Sequence, residues 1–323
     1  MSFESRTIGR TSVKVSAVAF GCASIGNLYR ESSDAASQEV LRAAWDAGIR
    51  YFDTAPHYGR GLSEQRLGMF LRGRLRDGIA ISTKVGRVLS PGQQHAEQDG
   101  FINPLPNDVH YDYSGDGIEA ALDGSRSRLG TNFIDIVYVH DIGSYTHGSS
   151  NAGHMEAFLG SGYERLVRLK ERKEIGAFGL GVNEVDVCFD VLDFGPLDAI
   201  LLAGRLTLID RSAEAKLVPR CLAAGTSLVL GGIFNSGILA TGTVPNATYD
   251  YAPASDAIKA AVDDLERRAQ KLGLSLAEAA LHFALGHPAS ASVLIGTANP
   301  LSLRRNIDFA RQPAPATFAK VFH

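Results

Sequence analysis

Eight short apolar or β-branched runs, separated by longer amphipathic stretches, constrain this 323-residue chain more than any other feature. The runs lie at 17–21, 51–53, 79–84, 134–140, 178–182, 199–203, 227–231 and 292–296. The stretches between them repeat apolar residues at helical spacing and stop at glycines. Val40, Ala44 and Ala47 stop at Gly48; Ile118, Leu122 and Leu129 stop at Gly130. Leu166, Leu169 and Lys173 are expected to stop at Gly176, and Ile258, Val262, Leu265, Ala269 and Leu272 at Gly273. A further helix is expected at 275–286. Parallel strands need a crossover, and strand–helix alternation supplies one.

Eight such units predict an α/β chain closed into a (β/α)8 TIM barrel, one domain over 1–323. An N-terminal β-hairpin is expected at 6–16. The rival is an open, doubly wound sheet. It favours G-x-G-x-x-G after its first strand, but "AFGCASIG" offers only spaced glycines. Two segments, 86–114 and 141–162, are too long for simple turns. Both follow strand ends, so both are expected as long loops over the C-terminal face, where such barrels do chemistry.

Bulk properties narrow the function classes. Hydrophobic residues make up 45% of the chain, enough for a sizeable core, and the net charge is −3. Without a basic excess to neutralise phosphates, no nucleic-acid or membrane partner is expected. Cys22, Cys188 and Cys221 stand far apart, which suits a reducing cytoplasm and neither a disulfide framework nor a zinc cluster. The N-terminus has no secretory pattern, and no apolar run approaches the roughly 20 residues that span a bilayer. No oligomeric state is read from the sequence.

Asp53, Tyr58, Lys84 and His140 stand at or just past the ends of the second, third and fourth runs. Singly, each has an ordinary structural role: turn cap, packed loop aromatic, solvated strand end, core histidine. In a barrel they share one face as a proton-transfer set. A phenol titrates near 10 and is a poor base at neutral pH. An ammonium beside it favours phenolate, and a carboxylate fixes the ammonium. The expectation is that Asp53 holds Lys84, that Lys84 lowers the pKa of Tyr58, and that Tyr58 exchanges a proton with a substrate oxygen. His140 would orient or polarise the same oxygen.

The segments "YFDTAPHYGRGLSEQRLG" at 51–68, "ISTKVGR" at 81–87 and "DIVYVHD" at 135–141 resemble the aldo-keto reductase superfamily, and the likeness runs from residue 12 to about residue 310. It implies a catalytic tetrad of Asp53, Tyr58, Lys84 and His140, and hydride transfer between nicotinamide and a carbonyl or alcohol carbon. It also implies a dinucleotide site in the second half. Asn183 would hold the carboxamide, although unaided it also reads as a helix cap. Gly231, Gly232, Ser236 and Gly237 would admit the phosphates closely. Gly296, Thr297, Ser302, Arg305 and Asn306 would line the adenosine side, where Asn299 and Pro300 read as N-cap and first residue of a helix. Gly231 stands where many relatives stack a tyrosine under the nicotinamide, so Phe234 is the expected replacement. Gly296 and Ser302 stand where relatives grip a 2′-phosphate with cations, which leans the cofactor from NADP towards NAD.

Within the superfamily, "TKVGR", "YDYSGDGI" and "FIDIVYVHDIG" resemble the D-threo-aldose 1-dehydrogenase group, with its L-fucose, L-galactose and D-arabinose dehydrogenases and pyridoxal 4-dehydrogenase. That implies a sugar or pyridoxal-like small molecule whose ring hemiacetal becomes a lactone. Tyr29, His57, Tyr145 and His147 are the candidate substrate contacts, and no metal ligand set is expected. Aldehyde or ketone reduction is the same chemistry reversed. Three other readings stay open on residues alone: a metal-dependent hydrolase using Asp53, His57, His140 and Asp141, a Schiff-base aldolase using Lys84, and a non-catalytic redox-cofactor sensor.

Overall fold

The computed structural model describes residues 2–74 and 76–322 and contains a closed barrel of eight parallel strands. These are β1 Val18–Gly21, β2 Tyr51–Asp53, β3 Ala80–Val85, β4 Ile134–His140, β5 Ile175–Val182, β6 Ala199–Ala203, β7 Ser227–Gly231 and β8 Ser290–Ile295. β8 closes on β1 through Val293 and Val18. Helices of the outer ring include α1 Asp34–Asp46, α2 Leu62–Leu71, α3 Gly115–Leu129, α4 Tyr163–Glu171, α5 Asp186–Phe194 and α6 Leu217–Ala224. α7 Asp256–Lys271, α8 Leu276–Gly286 and α9 Pro300–Arg311 follow.

Both faces of each strand are covered, which is why strands such as β3, buried at all six positions, read as continuous runs rather than as alternation. Phe20, Phe52, Ile81 and Val137 point outward into the layer beneath the helices. Tyr51, Ala80, Tyr138 and Val229 fill the interior. The expected hairpin forms between Ser5–Thr7 and Lys14–Ser16, and its Ile8, Val13 and Val15 join that interior cluster.

α4 ends at Glu171, not at Gly176. Lys173 takes a left-handed φ of 59°, and Gly176 already belongs to β5. A Cβ on Gly176 would meet Val13 and the Asp135 carbonyl, so this glycine serves strand packing rather than a helix stop. The two long segments carry structure of their own. In 86–114, Arg87–Pro91 pairs with Asn107–Tyr111, and Glu97–Gln98 with Phe101–Ile102. In 141–162, short helices run from Ser144 onward into α4. Among the described residues, no helix is long and apolar enough to cross a membrane.

Candidate active site

Strand register and period-2 alternation stack two layers of polar side chains at one end of the barrel. Asp53 sits across from Ser82, and Lys84 across from Tyr138. Tyr51, Ser82 and Tyr138 each stand two residues before Asp53, Lys84 and His140, and so form the layer below them. Lys84 Nζ donates to Asp53 Oδ2 at 2.8 Å and to the Thr54 carbonyl at 2.9 Å. Ser82 donates to Asp53 Oδ1 at 2.6 Å. Because the serine proton is thereby used, Tyr51 donates to Ser82 over 3.0 Å, and Tyr138 donates to Tyr51 over 3.1 Å. The hydroxyl chain is therefore directed, and it ends on the carboxylate that holds the lysine.

Tyr58 reaches this cluster from a tight turn after β2. Gly59, Arg60 and Gly61 all have positive φ there. A Cβ on Gly59 would lie 2.4 Å from the Gly26 carbonyl oxygen, so the two backbones touch only because both residues are glycines. The turn leaves the Tyr58 ring 4.6 Å from Lys84 Nζ and edge-on to His140, with 5.9 Å between ring centres.

The electrostatics differ from the sequence expectation at one point. The Lys84 charge and hydrogen bond do pull the Tyr58 phenol down, but burial of the ring outweighs them and its pKa lies above the ordinary value. Lys84 itself is held charged. Burial alone would lower its pKa, but Asp53 and the Tyr58 oxygen raise it beyond that loss. His140 is pushed well below the usual imidazole range by burial, then by the charges of Arg87 and Lys84. His57 falls to about 2, chiefly through burial, with Arg87, Arg60 and Lys84 adding to it. Both imidazoles are neutral near pH 7.

The tetrad opens into a cavity of about 740 Å³. Asn183, Gly231, Gly232, Phe234, Ser236, Gly237, Gly296, Thr297, Ser302, Arg305 and Asn306 all line it. Asn183 is not the cap of α5; that position belongs to Val185. Its carbonyl accepts from Arg205 Nε at 2.6 Å. The lining suits a phosphate-bearing dinucleotide. Asn299 caps α9 and aims the helix start at the cavity, where Ser302 and Arg305 follow. Gly237, at φ 99°, faces open space, and the buried Asn306 Oδ1 has no partner. Arg305 lines the cavity and Arg304 does not.

Tyr29 and His57 line the cavity, whereas Tyr145 and His147 do not. Tyr145 turns towards Arg205, whose guanidinium carbon lies 5.6 Å from its ring. His147 packs against Tyr111, Tyr113 and His154 and meets the Tyr113 hydroxyl at 2.8 Å. The cavity wall also holds residues to which the sequence reading gave no part in an oxidoreductase site, among them Phe101, Tyr251, Arg87 and Asp141. Phe101, from the paired loop, packs edge-on against His57. Tyr251 comes from the segment after β7. Arg87 and Asp141 follow β3 and β4 and bond at 2.6 Å. Arg87 stands inside the "ISTKVGR" motif and Asp141 next to His140, which was the available signal. Among the described residues, no three His, Cys, Asp or Glu side chains gather as a metal site.

The aldo/keto reductase family pattern matches residues 17–319. Among characterised relatives, a pyridoxal 4-dehydrogenase from Microbacterium luteolum is 39% identical, covering 98% of this chain and 95% of the relative. A D-threo-aldose 1-dehydrogenase from a Pseudomonas species is 34% identical, covering 94% and 91%. An L-galactose dehydrogenase from Arabidopsis thaliana is 26% identical over 94% and 87%. Of solved structures, an aldo-keto reductase from Bacillus halodurans superposes with a TM-score of 0.77 at 23% identity, over 99% of this chain and 97% of that one, which shows the shared barrel. A chain with this pattern over nearly its whole length, and with relatives this similar, is a member of the aldo-keto reductase family.

Proposed function

We propose that this protein is a nicotinamide-dependent dehydrogenase that oxidises the C1 hydroxyl of a cyclic aldose, such as L-fucose, L-galactose or D-arabinose, to the lactone. One observation carries the reading: Asp53, Tyr58, Lys84 and His140 meet around one cavity, with Lys84 clamped by Asp53 at 2.8 Å and facing the Tyr58 ring. The relatives support the hemiacetal, since aldoses and pyridoxal both carry their reacting carbon in a ring hemiacetal.

The bound dinucleotide would supply the hydride acceptor. Asn183 and the glycines after β7 would hold its nicotinamide end, and Gly296, Thr297, Ser302, Arg305 and Asn306 its phosphate and adenosine end. Gly296 and Ser302 bring no charge to that side of the lining, which favours NAD, whereas Arg305, the one cation there among the described residues, could meet a 2′-phosphate. As the C1–H bond is broken, Tyr58 in its phenolate form takes the proton of the C1 hydroxyl, and the Lys84 charge favours that form, offsetting part of the burial that disfavours it. Neutral His140 donates a hydrogen bond to the substrate oxygen and holds it against Tyr58. Asp53 keeps the ammonium in place without touching substrate.

A second reading, oxidation of pyridoxal at its ring hemiacetal, is favoured by the relative with 39% identity. The experiment is a screen of pentoses, hexoses and pyridoxal with NAD and NADP, followed by absorbance of the reduced nicotinamide. Lactone formation from an aldose with NAD is the expected result. Turnover of open-chain aldehydes alone, with the reduced cofactor, would replace the dehydrogenase reading with that of a reductase.

A further inference from the structure

The tetrad uses neither Arg87 nor Asp141, yet both face the cavity. Arg87 is the buried member, with a side chain 5% exposed, and Asp141 is 16% exposed, so the carboxylate is the end presented to a ligand. Its Oδ2 accepts from the guanidinium at 2.6 Å and lies 3.3 Å from His140 Nε2. Among the described residues, Oδ1 accepts no hydrogen bond and is not one of the sealed orphan atoms. Asp141 also holds a left-handed φ of 47°, an unusual conformation for a residue with a Cβ and one often found at functional sites. Its amide is fixed there by a bond to the Gly181 carbonyl at 2.8 Å. The cavity wall thus offers a rigid, charged, unsatisfied acceptor one side chain away from the imidazole that would hold the reacting oxygen.

We infer that Asp141 is a specificity-determining residue, whose Oδ1 accepts a hydrogen bond from the ring hydroxyl on the carbon next to the reacting hemiacetal carbon. This rests on the hemiacetal dehydrogenase reading above and sharpens it to substrates that bear a hydroxyl donor at that position. Arg87 fixes the carboxylate and, with Lys84, pulls its pKa down against burial, which leaves it above the ordinary carboxylate value. A substrate without the hydroxyl leaves the charge desolvated and unpaired, which is how a polar site rejects deoxy analogues strongly. Pyridoxal bears no hydroxyl on the carbon next to its reacting carbon, and its ring phenol, ionised at neutral pH, is an acceptor rather than a donor.

The test compares kcat/KM for an aldose, its 2-deoxy counterpart and pyridoxal, in the wild type and in Asp141→Asn. Asparagine tolerates the left-handed backbone, and its amide group replaces the acceptor with a donor once its oxygen faces Arg87. The wild type is expected to favour the aldose over the 2-deoxy sugar by at least about 10-fold, the order of one hydrogen bond to a charged group. In D141N that ratio should collapse towards unity, while the dissociation constant of the dinucleotide, read by protein fluorescence, stays unchanged. Equal losses on both sugars with the ratio preserved would overturn the inference and leave the dehydrogenase reading standing. So would a wild type that prefers pyridoxal or a 2-deoxy sugar, a result that needs no variant to fold. No turnover of any hemiacetal would defeat both.

Discussion

Lys84 and Asp53 form an ion pair at 2.8 Å in which both side chains are only 2% exposed. Neither charge has water to fall back on. Asp53→Asn would leave a buried ammonium uncompensated, and loss of one partner of such a pair costs about 3–5 kcal/mol. Urea unfolding should show that loss. Asp53→Asn together with Lys84→Met should recover much of it while remaining inactive.

Tyr58→Phe removes the proton acceptor and little else, because the ring still fills the turn after β2. Turnover should fall about 10²–10⁴-fold, the usual worth of general acid–base catalysis. Dinucleotide affinity should stay within about 2-fold, the cofactor residues being elsewhere in the cavity. Stopped-flow kinetics and fluorescence titration separate the two quantities, and a large loss of affinity would refute the assignment.

The pH profile follows from burial. Tyr58 has a raised pKa, so its proton-accepting form is scarce at neutral pH and grows as pH rises. Oxidation should therefore accelerate on the alkaline side of neutrality and reduction should slow. His140 and His57 are both depressed, so neither should impose a limb near the ordinary imidazole value of about 6.5. A profile for kcat/KM that breaks near 6.5 would contradict the neutral-imidazole site.

The same two histidines link stability to acid. The unfolded chain binds their protons below about 6.5, whereas the folded chain excludes them, His57 down to about 2. Stability should thus be intact above pH 7 and decline as pH falls, by up to about 1.4 kcal/mol per pH unit for each histidine. His57→Gln should flatten that slope in melts recorded between pH 7 and 5.

Gly86 follows β3 at φ 94°, and an added Cβ would lie 2.2 Å from a ring carbon of Tyr113. The Tyr113 hydroxyl donates to the His140 carbonyl at 2.7 Å. Gly86→Ala should cost about 1–3 kcal/mol through overpacking and lower kcat as His140 shifts. Gly73→Ala, at a similar φ of 76° but with open space around it, should cost stability without that loss of rate.

The barrel was legible because parallel strands covered on both faces leave uninterrupted apolar runs, and all eight were found within a few residues of their ends. The end of α4 was misplaced because Arg172, Lys173 and Glu174 extend the polar helical pattern past Glu171, and only the backbone at Lys173 reveals the reversal. The strands at Arg87–Pro91 and Asn107–Tyr111 carry little apolar alternation, so nothing local announced them. Asp53, Tyr58, Lys84 and His140 were legible from strand ends and motif spacing. The Arg87–Asp141 bond, between residues 54 positions apart, continues the register of β3 and β4 two positions past Val85 and Val139, and that register is set by strand pairing rather than by either segment alone. Tyr145 and His147 lie outside the cavity lining, on a short helix at Ser144–His147 that the sequence pattern did not announce.

The hydroxyl chain from Tyr138 through Tyr51 and Ser82 ties the carboxylate of the site to three neighbouring strands at once. Such a foundation has no slack, so the proton-handling groups cannot be retuned without disturbing the staves themselves. Changes in what the protein accepts must instead come from the overhanging segments, where Phe101, Asp141 and Tyr251 reside. Chemistry and taste are thereby housed in separate parts of the molecule and can diverge independently.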